Sequence, residues 1–161
     1  MTTARDRPPP PRFEDGPGGF ALVIPVRAGI LVSEFETSSP METDWTIDTS
    51  RLVNRHQAKA LGRKYKAEVA SCLANLGLVL AELGNGTPIS AIPYPFFRSE
   101  GNGVFRIGQT GVSAAREMRL YVTFVFIGRT AFILAIGTKN TQSRDIADAR
   151  RAAKYLERDT P

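Results

Sequence analysis

The sequence predicts an α+β fold: a small, mostly antiparallel sheet with one or two N-terminal helices packed on it and a C-terminal helix. Three observations carry that reading. Residues 52–83 repeat apolar side chains at helical spacing, residues 119–136 form two apolar runs around a glycine turn, and residues 144–158 return to helical spacing.

Taken in order, residues 1–19 (MTTARDRPPPPRFEDGPGG) hold too little apolar surface to offset the entropy of ordering, so a disordered tail is expected. Segment 20–36 reads as a strand or short hairpin kinked at Pro25, and a loop signal, Thr37 to Pro40, follows it. The domain is expected from Met41 to residue 161, with 1–40 an extension; Met41 could itself be the natural start, which N-terminal sequencing of the native protein would check. Trp45-Thr46-Ile47 alternates as a first strand does. Thr49 or Ser50 can cap the helical region. In that region Leu61, Tyr65, Val69, Cys72, Leu73, Leu76, Leu80 and Leu83 line one face. Gly62 and Gly77 weaken it, which leaves either one helix or two antiparallel ones, and Gly84-Asn85-Gly86 ends it.

Residues 87–103, with three prolines, are expected to be loop. Val104–Ile107 can begin a strand, and Gly108–Ser113 is rich in turn formers. Arg119–Ile127 and Thr130–Ile136 are the clearest β signal, joined by Gly128-Arg129 in a turn of the II′ type. Both runs are apolar on both faces, so both are expected to be central strands. After a polar exit at Gly137–Gln142, Ser143 with Asp145 starts a helix over 144–158 that turns Ile146, Ala149, Ala153 and Leu156 inward.

Composition sets limits on function. The chain has 161 residues, one cysteine (Cys72) and one histidine (His56), so neither a disulfide framework nor a zinc site arises within it, and no cofactor is expected. A formal net charge of +5 biases it mildly toward polyanions. No apolar stretch is expected to reach the roughly 18 residues of a membrane span; the nearest, 20–32, is interrupted by Pro25 and Arg27 and preceded by acidic Glu14 and Asp15. A cytoplasmic protein without membrane partners is expected.

Order and residues together resemble the RelE/ParE superfamily of bacterial toxins, and within it the HigB-like, phage-derived branch, over about residues 44–158. The likeness rests on Leu83-Gly84 closing the helical region, Gly103-Val104-Phe105-Arg106-Ile107, Arg119-Leu120-Tyr121, and Lys139-Asn140-Thr141-Gln142 after the hairpin. A helix with alanine and arginine, Asp145 to Arg151, then closes the domain. The chain departs from the pattern too. Val104 replaces a glutamate, the link from Arg106 to Arg119 is long, Asn140 replaces a second lysine, and Ser143-Arg144 replaces a threonine-proline. An alternative alignment puts Arg116 in the first arginine's place.

The resemblance implies a toxin of a type II toxin–antitoxin pair, a metal-independent endoribonuclease that cuts mRNA on the ribosome. In that reaction the RNA's own 2′-OH attacks the adjacent phosphate. It implies a cognate antitoxin with a helix-turn-helix domain as partner. Arg106, Arg119 and Lys139 are the implied catalytic residues, with Arg116, Arg98, Tyr121, Gln142 and Arg144 against the RNA. Planar guanidinium forks grip phosphate well, but an arginine cannot act as a base, and a lysine can only when burial or nearby cations free its proton. Tyr121 in so apolar a strand also reads as core, and Tyr94, Phe96 and Phe97 either staple the proline loop or stack on bases. The alternatives are a ParE-like gyrase inhibitor and a non-catalytic binding module derived from the toxin fold.

Overall fold

The computed structural model describes residues 44–113 and 116–159. The proline-rich tail, the strand or hairpin expected at 20–36, and Met41 lie outside the described residues. The elements run β1 (Thr46–Asp48), α1 (Arg55–Lys64), α2 (Lys66–Gly84), β2 (Phe97–Gly101), β3 (Val104–Gly108), β4 (Met118–Val125), β5 (Thr130–Thr138) and α3 (Gln142–Asp159). They form the expected α+β fold, around one five-stranded sheet of order β1-β5-β4-β3-β2. The pairings are antiparallel except β1 with β5.

Strand alternation sends side chains to two separate cores. On one face Leu120, Val122, Ile107 and Ile133 meet Cys72, Leu76, Val79 and Leu80 of α2. On the other, Val104, Tyr121, Leu134 and Ala135 meet Ala149, Ala153 and Leu156 of α3. Covered on both faces, β4 and β5 are the central strands their composition predicts. A bulge shifts the register after Tyr121, which faces Ala135 while Val122 faces Ile133. Leu134 is the extra residue, so Leu134 and Ala135 both turn toward α3.

Four boundaries differ from the sequence reading. The helical region breaks at Tyr65 (φ −123°, ψ 53°), and Gly62 and Gly77 stay inside α1 and α2. Leu61, Tyr65 and Val69 all pack on one core, so the apolar spacing runs on through a break one residue long. Residues 97–101, expected as loop, form edge strand β2, joined to β3 by Asn102-Gly103 with positive φ at both (53° and 71°). The β4–β5 turn is also longer than the two residues expected. Val125 pairs with Thr130, the Arg129 amide donates to the Phe126 carbonyl (3.2 Å), and both Gly128 and Arg129 have positive φ. Phe126 and Ile127 thus leave the ladder and stand exposed. Finally, β5 runs on to Thr138, and a 3-10 turn, Lys139–Thr141, leads into α3 two residues earlier than expected.

One more expectation is corrected. By length and composition α2 is long and apolar enough to cross a membrane; it includes Glu68 and Glu82, which is why no uninterrupted apolar run marks it. Its Cys72–Leu83 side is buried against the sheet, and each leucine so buried contributes about 2 kcal/mol.

Beyond the three residues of β1, the edge of β5 is closed by the two residues that precede α1. The Val53 amide donates to the Leu134 carbonyl (2.8 Å). The Asn54 side chain then donates to the Ile136 carbonyl (2.8 Å) and accepts from the Ile136 amide (3.3 Å), as a neighbouring strand would.

Candidate functional site

Register decides which cations meet. Arg98 on β2 lies opposite Arg106 on β3, Arg106 opposite Tyr121, and Gly108 opposite Arg119 on β4. Alternation therefore puts Arg98, Arg106 and Arg119 on one face of the sheet, the face that carries α3. They line a groove of about 330 Å³ together with Pro95, Phe96, Gly108, Gln109 and Glu117. A larger cleft of about 560 Å³ at the far end of the sheet is lined mainly by apolar side chains such as Phe105, Phe124, Phe126 and Leu156. Volume favours the cleft, but reactive chemistry favours the groove.

Two carboxylates answer the arginines. Glu100 lies 3.3 Å from the Arg106 Nε, and both side chains are largely covered, at 16% and 17% exposed. Glu117 is 58% exposed, and its Oε2 accepts from the Arg119 Nη2 (3.0 Å) and lies 3.9 Å from the Lys139 Nζ. One carboxylate oxygen thus bridges two of the implied catalytic cations. Lys139 is 67% exposed on the 3-10 turn and, among the described residues, touches the groove through Glu117. Arg119, only 12% exposed, is held on its other side by Gln142, whose Oε1 accepts from Nη1.

The four residues from Lys139 to Gln142 therefore divide their roles. Lys139 points outward, and Gln142 sets the Arg119 guanidinium. Thr141 caps the turn, accepting from the Thr138 amide (3.1 Å), and donates to the Asp145 carboxylate. Asp145 is buried over Gly137, where a Cβ would stand 1.7 Å from its Oδ2. Burial raises the Asp145 carboxyl above its ordinary range, opposed by the Thr141 hydrogen bond and by Arg144.

The remaining expected RNA contacts lie elsewhere. Tyr121 is fully buried beneath α3, so it offers no stacking surface; the expectation of an RNA contact is corrected in favour of a core role. Its hydroxyl has no hydrogen-bond partner among the described residues. Burial pushes the phenol up to about 12, helped by Asp145 and opposed by Arg119. Arg116 is exposed on the link before β4 and does not line the groove. Arg144 sits on the first turn of α3, where its Nη2 donates to the Gln57 Oε1 of α1 (2.8 Å), away from the groove. Of the proline-loop aromatics, Phe97 is core, Tyr94 stacks on Phe96 with ring centroids 4.9 Å apart, and the Tyr94 hydroxyl donates to Glu82 (3.2 Å).

Sequence reasoning missed Glu100 and Glu117. A signal existed for the second: Glu117 stands two residues before Arg119 at a strand entry, so both share a face. Among the described residues no cluster of three or more His, Cys, Asp or Glu could hold a metal ion.

Fold and groove together define an α+β domain with an arginine-walled groove at one end of its sheet. No family model, no curated protein and no solved structure matches the chain.

Proposed function

We propose that this chain is the toxin of a type II toxin–antitoxin pair and an endoribonuclease that cuts mRNA on the ribosome, in the cytoplasm. The observation that carries the reading is the groove. Arg98, Arg106 and Arg119 converge there on one face, with an exposed carboxylate at its rim. Guanidinium groups suit the extra negative charge that a phosphodiester gains on the way to a phosphorane. Glu117 accepts the proton of the 2′-OH as the oxygen attacks phosphorus. The 5′-oxygen leaves and takes a proton from the Lys139 ammonium or from water. The products are a 2′,3′-cyclic phosphate and a 5′-hydroxyl, and a helix-turn-helix antitoxin restrains the reaction.

A second reading, a non-catalytic binding module, is favoured by one observation. Arg106 and Arg119 already sit against carboxylates, and a carboxylate competes with phosphate for the same fork. Incubating the protein with translating ribosomes separates the two. Under the nuclease reading mRNA is cut, and Arg119→Ala slows cleavage about 100-fold or more. Glu117→Gln slows it by a similar factor, while RNA still binds. Intact mRNA with the unaltered protein at full ribosome occupancy would sink the nuclease reading.

A further inference from the structure

We propose that α1 carries a second contact surface, for the phosphate backbone of folded RNA. Between Asp48 and Glu68 the sequence contains Arg51, Arg55, Lys59, Arg63, Lys64 and Lys66 and no acidic residue. Within α1, Arg55, Lys59 and Arg63 recur every four residues, which advances each by only about 40° around the helix and about 6 Å along it. All three are exposed, whereas Ala58 is buried and Leu61 packs on the core.

What sets this surface apart is that its cations stand together with no acidic side chain among them, whereas several cations elsewhere are paired. Arg106, Arg119, Arg129, Lys139, Arg144 and Arg151 each lie within 4.0 Å of a carboxylate. Lys59, Arg63 and Lys66 have no such partner among the described residues. Lys64 lies over the Tyr65 ring, 5.4 Å from its centroid, and Arg55 donates to the Ser50 carbonyl (2.6 Å). Like charges four apart weaken a helix; Arg63 and Lys64 suit the last turn of α1, but Lys59 in the middle of the helix has no such role in folding. The exposed cations Lys59, Arg63 and Lys66 suit a phosphate backbone, which such a row grips without reading sequence.

Position links the strip to the groove. Arg144 reaches from the first turn of α3 to Gln57 of α1, and the same turn begins at Gln142, which holds Arg119. The choice of RNA over another polyanion rests on the nuclease reading of the groove; the basic strip itself does not.

The test uses the full chain and a fluorescent RNA hairpin, with a DNA duplex of equal length and polyglutamate as rivals, at 50 to 200 mM salt. Replacing Lys59, Arg63 and Lys66 together by glutamine is expected to weaken hairpin binding at least about 10-fold. It should also make the salt dependence shallower by about one unit of slope per cation. Ala60→Glu, an exposed position on the same helix, should weaken binding without removing any side-chain contact. Thermal melting checks that each variant folds, and Ala60→Glu decides the matter if the triple variant does not. Hairpin binding unchanged in folded variants overturns the proposal. Equal losses for DNA or polyglutamate overturn the assignment to RNA. A protein that binds the hairpin through α1 yet cuts no mRNA leaves this surface standing while the nuclease reading fails.

Discussion

Tyr121 and Gly137 show how single residues support the groove from beneath. The Tyr121 hydroxyl is buried without a partner, and such an orphan costs about 1–3 kcal/mol. Tyr121→Phe is therefore expected to keep the fold and to leave stability unchanged or raised, read as the melting temperature. The variant also has a pH signature. With the folded phenol pushed up to about 12, the unfolded chain loses its proton first, near 10. Stability is thus fully present below about 10 and falls as pH rises toward 12. Tyr121→Phe should flatten that alkaline loss; an equally steep loss in the variant would contradict the assignment. At Gly137 the reasoning is steric, because any Cβ collides with Asp145. Gly137→Ala should cost about 3 kcal/mol or more in denaturant unfolding. A loss below about 1 kcal/mol would mean that Asp145 moves aside easily. Of the site residues, the sequence makes Arg106, Arg119 and Lys139 legible as candidates. It hides Glu100, whose pairing with Arg106 depends on the irregular register between Ser99 and Gly101.

At the scale of elements, edges and ends matter most. Asn54 imitates a strand for Ile136 through two hydrogen bonds. Asn54→Ala leaves both backbone groups unpaired at a part-buried edge, and a loss of about 1–2 kcal/mol is expected. Hydrogen exchange should quicken at the Ile136 amide before it does in β4; unchanged protection there would contradict this role. The end of α2 is a Schellman turn. The Thr87 amide donates to the Glu82 carbonyl (3.0 Å), the Gly86 amide to Leu83 (3.1 Å), and Gly86 holds a φ of +83°. Gly84-Asn85-Gly86 made that stop readable because the chemistry is local. That the helical region could break was readable from its glycines, but the place of the break, Tyr65, was not, since both helices keep the same apolar spacing on one core. Strand β2 was missed because only Phe97 of its five residues is buried. It exists through pairing with β3, and its Asn102-Gly103 turn was the one local sign of it.

For the molecule as a whole, two cores share one sheet, and each depends on the other's strands. Cys72 lies at the centre of the α2 core and is fully buried. Burial pushes its thiol up to about 12, so it stays protonated and unreactive at neutral pH. Its rate of reaction with a thiol reagent should therefore track global unfolding, rising in step with denaturant; fast labelling of the native protein would show that α2 opens locally.

The sequence by itself determined the α+β class, both central strands, the terminal helix and the identity of the candidate cations. The class, strands and helix rest on local periodicity, which each segment carries whatever surrounds it; the cations were singled out by the resemblance to the toxin superfamily alone. Tertiary structure alone decided that Arg98, Arg106 and Arg119 meet, that Tyr121 is buried, and that Glu117 bridges Arg119 and Lys139. Each of these follows from strand register and from the packing of α3, and a register forms only between segments distant in the chain.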